Sequence, residues 1–390
     1  MTTRTRLIVL LISAPIIAFA VIGGFLGNAM AREETVSSLR VFQDVIRLVT
    51  SNYVEPVNSD RIMAGAMRGL AESLDPDSAY LNPAQVKALQ SGEQLPAGEV
   101  GIALTRQYYL RVVSARDASP AARAGLRPGD FVRMIDDRPT REMSVFEGVR
   151  LLRGAPGSKV RLTVIRSNAA DPRVIELTRE VLSPAEVSGR MQAPTLGYVR
   201  VPAFGPKSAD QIRAKVAELR KLGAVRLIVD VRDCAIGELN DGLAAARLFV
   251  SSGTLAIRET RNLPRETISA AEGDGAISLP VTVLVNAGTA GAAELFAAAL
   301  DGNKRAELIG ERTTGRVTAQ KLVPLPDGTA MLLSNSWFLT PAGEQIAEKG
   351  LAPTVEVEEP DVDIGGPPPS TDPILLKAID RIGNKAITQR

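Results

Sequence analysis

The chain contains no histidine. That absence removes Ser-His-Asp and Cys-His catalysis and every histidine-ligated metal site. Any acid–base chemistry falls to lysine, aspartate, glutamate, tyrosine or a thiol. Cysteine is nearly missing as well. Cys234 is the only one among 390 residues, which excludes an internal disulfide framework and a cysteine-rich zinc site. A charge excess is lacking too. The 46 Lys and Arg offset 44 Asp and Glu to a net charge of +2, and no stretch concentrates basic residues, which argues against a dedicated nucleic-acid binder. The pattern offers no metal site, no phosphate loop and no internal repeat, and no cofactor is expected.

A hydrophobic content of 45% and a charged content of 23% suit a globular chain of two or three domains. One apolar run stands out. Arg4 and Arg6 precede Leu7 to Leu26, and Ala29-Met30-Ala31 follows. Two readings fit residues 1–31. A cleaved signal peptide has this charge, this apolar stretch and this small-residue exit. A membrane anchor needs about 20 apolar residues, and residues 7–26 supply them. Either way the bulk of the chain is expected in the periplasm or on an extracytoplasmic face.

Downstream, Leu39, Phe42, Ile46, Val49 and Tyr53 recur at helical spacing, and Pro56 ends that helix. Asp60 to Leu74 reads as a second helix, and Asn82-Pro83 opens a third to about Gln90. Asp75-Pro76-Asp77-Ser78 reads as a turn joining packed helices. Residues 91–98 form a Ser/Gly/Pro linker. A module of short strands follows, with EVGIALTR (99–106), YLRVVSA (109–115), FVRMIDD (131–137), KVRLTVIR (159–166) and VIELTRE (174–180). Its helices are predicted at 119–125 and 144–153. The next stretch alternates buried-type strands, LGYVRVPAF (196–204), LIVDVRD (227–233) and VTVLVN (281–286), with helices at 207–222, 239–250 and 292–302. Continuous apolar strands between helices predict a mostly parallel α/β core. AELIG (306–310) and TAMLLSNSWFLT (329–340) add strands. The acidic residues Glu356, Glu358, Glu359, Asp361 and Asp363 read as a solvated strand end. Residues 365–369 read as a linker and 373–382 as a last helix.

In this order the parts resemble the carboxyl-terminal processing proteases, also called tail-specific proteases. The resemblance runs from about residue 39 to about 383. It is carried by YVEPVNSDRIMAGAMRGLAESLDPDSAYL (53–81), SPAARAGLRPGDFVRMID (119–136), LLRGAPGSKVRLTVIR (151–166), LIVDVRD (227–233), VTVLVNAGTAGAAELFAAALDGNKRAELIGERTTGRVTAQ (281–320) and LTPAGEQIAEKGLAPTVEV (339–357). It implies an N-terminal helical segment (32–95), a PDZ domain of β-barrel type (96–182), an α/β protease-like core (183–358) and a linker with a C-terminal helix (359–390). PDZ domains take an extended C-terminal peptide by strand addition beside a carboxylate-binding loop. The matching residues are Val100, Gly101, Ile102, Ala103 and Leu104, after Glu99. The loop lacks the aromatic often found at its start, which predicts weak affinity. The N-terminal helices are the surface where the resemblance places association with a second copy or an active relative.

The family cuts peptides with a serine and a lysine. The serine's place, in a pattern like S-A-S-A-S-E, falls on Gly291 within Thr289-Ala290-Gly291-Ala292-Ala293-Glu294. The lysine's place falls on Arg316 within Thr313-Thr314-Gly315-Arg316, and Gln320 matches a glutamine that supports the lysine. In the loop that shapes the oxyanion site, here Asp230 to Gly237, Ile236 replaces the first glycine before Gly237. Glycine has no group to attack a carbonyl, and arginine stays protonated with no lone pair to serve as a base. The departures imply a protease scaffold without its chemistry, binding polypeptide C-termini or unfolded segments. Two alternatives remain at this point: a working endopeptidase that uses Thr289, with Lys321 or Lys304 as base, or a non-enzymatic envelope scaffold whose PDZ domain recruits partners while the core is inert. Thr289 otherwise reads as a hydrogen-bonding partner for backbone N–H groups at the helix start, and Gly291 with Glu294 as a helix cap. Cys234 reads as a small buried hydrophobe.

Overall fold

A computed structural model describes residues 39–166, 171–367 and 369–388, the last five by backbone alone. The apolar run at 7–26 and its flanks lie outside the described residues. Among the described residues, no helix is long and apolar enough to cross a membrane.

The chain divides after Leu70 into two compact units. The first contains a helix through residues 39–52 and most of the helix Ser59–Glu72. Asn58 accepts a hydrogen bond from the Arg61 N–H at 3.0 Å and starts the second helix. Leu39, Val41, Val45 and Leu48 on the first helix, and Met63 on the second, are exposed.

The second unit, from Ala71, contains three sheets. The central one has six strands in the order Val355–Glu356, Ala306–Gly310, Val281–Val285, Arg226–Asp230, Leu196–Arg200 and Ser188–Ala193. All neighbours are parallel except the last pair. Every residue of Val281–Val285 is buried, as a strand covered on both faces requires. One face is covered by Ser208–Lys221, Leu239–Ala246 and Ala292–Gly302, whose Ile212, Leu243, Leu295 and Phe296 join the main core. The other face is closed by the helix Pro373–Thr388, through Ile374 and Ala378 against Ile228, Leu284 and Ile309. This final helix runs past the predicted 382.

A second sheet joins Ala79–Leu81, Ala330–Leu339, Thr254–Thr260, Glu266–Ser269 and Thr318–Pro324. Ala79–Leu81 corrects the reading of the segment before residue 95 as purely helical. Its turn leads from a helix into a strand, with the Asp75 side chain accepting from the N–H groups of Asp77 (2.8 Å) and Ser78 (2.7 Å). The third sheet, Ile102–Gln107, Tyr109–Ala115, Phe131–Ile135, Lys159–Ile165 and Arg173–Thr178, is antiparallel and encloses its own core around Leu110, Val132, Ile135 and Leu162. Ile102–Gln107 is one of its edges, flanked by the helix Val145–Leu152. The protein is therefore an α/β multidomain chain.

Candidate active-site cleft

The cleft forms at the carboxyl ends of the neighbouring parallel strands Arg226–Asp230 and Val281–Val285, where open α/β sheets bind ligands. From the second strand the chain passes through Asn286 to Gly291 and enters the helix Ala292–Gly302. Gly291 has φ 62° and ψ −117°. That is costly for a residue with a Cβ, and it aims the position outward from a tight strand-to-helix turn. A Cβ at Gly291 would find room. Its closest neighbours would be the Arg316 carbonyl oxygen at 3.5 Å and Leu239 at 3.9 Å. The strand–turn–helix geometry is one that can mount a reactive side chain, and the position itself is glycine.

Glu294 ties this turn to the segment bearing Arg316. Its carboxylate is fully buried and accepts from the N–H groups of Gly291 (3.0 Å), Gly315 (2.6 Å) and Arg316 (2.8 Å), and from the Thr313 hydroxyl. Burial pushes this carboxyl above its ordinary range, against the four bonds it accepts. The Arg316 side chain turns away from Gly291. Nε and Nη2 donate to Asp77 Oδ1 at 3.1 and 2.5 Å, and Nη1 donates to the Leu104 carbonyl at 3.0 Å. Gln320 donates to the Asp77 carbonyl at 2.5 Å. The acidic turn thus contributes the partner of Arg316, a role its sequence pattern does not announce. The chain separation of Asp77 and Arg316 leaves no local signal for their pairing.

Thr289 is completely buried. Its hydroxyl accepts from the Asn286 N–H at 3.0 Å and donates to the Val231 carbonyl at 3.0 Å. It pins the end of one strand to the start of the loop after Asp230, rather than satisfying N–H groups at the helix start. Cys234 is also buried, and burial pushes its thiol up to about 12, so it stays protonated. Gly237 has φ 134°, and a Cβ there would stand 2.1 Å from the Phe204 carbonyl oxygen, so this position admits only glycine. Ile236 lies outside the left-handed region and is 45% exposed at the rim. An isoleucine is accommodated here because Gly237 takes the demanding conformation.

The loop from Asp230 to Gly237 rests on buried polar groups. Asn286 Oδ1 accepts from the N–H groups of Asp233 (2.9 Å) and Gly288 (3.0 Å), and its Nδ2 donates to Asp233 Oδ1 and Glu359 Oε1, both at 3.2 Å. Glu359 is thus part of the support, not of a solvated strand end. Burial would raise the Asp230 carboxyl, yet Arg232, Arg200 and the Tyr198 hydroxyl (2.7 Å) together hold it below the usual carboxylate range.

A cavity of about 480 Å³ opens here, lined by Gly237, Glu238, Leu239, Gly291, Arg316 and Thr318 among others. Val100 to Leu104 belong to the separate antiparallel module, where Ile102, Ala103 and Leu104 lie on its edge strand. A wider cavity of about 1130 Å³ runs beside that strand past Asp77, Thr105, Arg106 and Trp337. Arg316 and Thr318 line both cavities. Among the described residues lining the smaller one there is no serine, cysteine or lysine, and Thr318 carries the only hydroxyl.

Residues 195–357 match the model of peptidase family S41, and residues 111–166 match that of a PDZ domain. The chain is 30% identical over 322 residues to a carboxyl-terminal-processing protease of Synechocystis sp., covering 80% of this chain and 75% of that protein. It is 29% identical over 336 residues to a carboxy-terminal-processing protease of Bartonella bacilliformis, covering 84% and 77% respectively. Among solved structures, the photosystem II D1 C-terminal processing protease is similar with a TM-score of 0.69 at 29% identity, covering 79% of this chain and 85% of that one.

Proposed function

Since the chain belongs to the carboxyl-terminal processing proteases of peptidase family S41 and carries their PDZ domain, we propose that it is a member without peptidase chemistry. In this reading it is exported, binds polypeptide C-termini or unfolded segments, and regulates or scaffolds proteolysis in the cell envelope. The observation that carries it is the cavity at Gly291, whose lining offers no serine, cysteine or lysine. Arg316 stands where a base belongs, and its guanidinium is committed to Asp77 and Leu104. The threonine route is disfavoured because the Thr289 hydroxyl is buried with both its bonds made. Export rests on the basic and apolar residues 4–26.

The reading is tested with unfolded casein as substrate. The wild-type chain is expected to leave it intact. The double variant Gly291→Ser with Arg316→Lys puts a hydroxyl in a turn with room for it and replaces the committed guanidinium with an amine that can lose a proton. Cleavage by that double variant alone supports a retained frame. Cleavage by wild type that is insensitive to serine-protease inactivation would still refute the proposal, because it requires no turnover at all.

A further inference from the structure

Arg316 has no part in peptidase chemistry, yet its guanidinium is fully engaged. Two of its nitrogens hold Asp77, and the third, Nη1, donates to the carbonyl of Leu104. Leu104 lies on Ile102–Gln107, whose one sheet neighbour is Tyr109–Ala115. A donor arriving from outside the sheet reaches this carbonyl, which marks it as one facing the open edge. Open-edge carbonyls are what an added peptide strand must bond. We infer that Arg316 is a latch on the peptide groove: its guanidinium and the backbone N–H of an incoming extended peptide compete for the Leu104 carbonyl.

The latch is anchored at its far end. Asp77 Oδ2 accepts from the Thr318 hydroxyl at 3.3 Å, and Gln320 holds the Asp77 carbonyl. Both partners lie on the strand Thr318–Pro324 of the second sheet. Glu72 adds a second tie to the same edge strand through Arg106 at 2.8 Å. A charged donor on a carbonyl is stronger than the neutral N–H that replaces it, so the closed groove is the resting state. The latch also reaches the cleft. The Arg316 N–H is held by Glu294, the carboxylate that holds the Gly291 N–H. Displacing Arg316 therefore loosens the wall between the two cavities it lines. The ligand class is an extended polypeptide with an apolar last residue and a free carboxylate, since Ile102, Val145 and Val149 are the apolar side chains along the strand and its flanking helix.

This inference rests on the peptide-binding reading above, and one experiment separates them. The probe is a short fluorescent peptide ending in three valines with a free carboxylate. It is titrated by anisotropy into the full chain in mild detergent, as wild type, Arg316→Met and Asp77→Asn. Arg316→Met keeps the stem and removes the donors. It is expected to bind about tenfold more tightly than wild type, the scale of one charge-assisted hydrogen bond. Asp77→Asn is expected to shift affinity in the same direction and supplies the comparison if Arg316→Met fails to fold. Equal affinity in wild type and variants overturns the latch and leaves peptide binding standing. No binding by any of the three overturns both.

Discussion

Thr289 and Gly291 sit two residues apart in one turn and meet opposite constraints. Gly291 faces a cavity and has space around it, whereas Thr289 is sealed beneath it with its hydroxyl shared between Asn286 and Val231. A Thr289→Val variant keeps the branched shape and removes the shared partner. It leaves one buried N–H and one buried carbonyl without that bond, each costing about 1–3 kcal/mol. The expected outcome is a clear fall in the urea midpoint with unchanged m-value, and no change in peptide binding. An unaltered midpoint would show that the hydroxyl is structurally idle. Sequence alone located these residues because the strand, the small-residue turn and the helix are contiguous. It could not orient the threonine, since the carbonyl that claims its hydroxyl belongs to Val231, just past a different strand. Likewise the sequence singled out Arg316, but its partners Asp77 and Leu104 come from distant segments.

At the scale of elements, the buried parallel strands and the helix Ala292–Gly302 were legible because their apolar runs are unbroken. Thr254–Thr260, Glu266–Ser269 and Thr318–Pro324 were not, because polar side chains are interspersed along them and they form a half-exposed sheet. In the acidic stretch after Val355 only Glu359 departs from a solvated strand end, and nothing local distinguishes it from its exposed neighbours. That element makes the site sensitive to pH. Burial raises both Asp233 and Glu359 above the ordinary carboxylate range, and the charge of Asp233 pushes Glu359 further up. Asp233 also faces Asp230, Arg200 and Arg232, and Glu359 faces Glu311 and Arg232. A raised carboxyl binds its proton more tightly folded than unfolded, so acidification toward its folded pKa stabilises the fold. Asp230 acts oppositely: its contribution is full above the unfolded carboxylate pKa of about 4 and is lost as pH falls through its lowered value. The melting temperature is therefore expected to rise as the pH falls from neutral toward the ordinary carboxylate range near about 4, and to fall in stronger acid. Glu359→Gln, scanned calorimetrically over the same range, should flatten the rise and leave the acid limb in place.

At the scale of the whole unit from Ala71 onward, the PDZ domain is bound to the core by more than its covalent connections. Asp117 meets Arg200 through two hydrogen bonds of 2.9 and 2.8 Å. Arg200 in turn approaches Asp230, and Arg232 joins Asp230 to Asp372 at the start of the last helix. From the other side, the segment after the central sheet crosses the PDZ domain. Arg127 donates to the Pro360 carbonyl at 2.9 Å, Arg166 holds both Asp130 and the Val362 carbonyl, and Ile364 is buried in the PDZ core. This strap carries Glu359, so the segment that fixes the PDZ domain also supports the loop from Asp230 to Gly237 through Asn286. Domains joined this way should unfold together, and cutting the apolar anchor should separate them. Ile364→Ala removes a side chain that is 8% exposed, at a cost on the order of 2–3 kcal/mol to the PDZ domain and its strap. Hydrogen exchange is expected to accelerate in residues 360–366 and in the PDZ strands, while Val281–Val285 keeps its protection. Uniform acceleration across both regions would mean that the strap stabilises the unit globally instead of fastening one domain to the other.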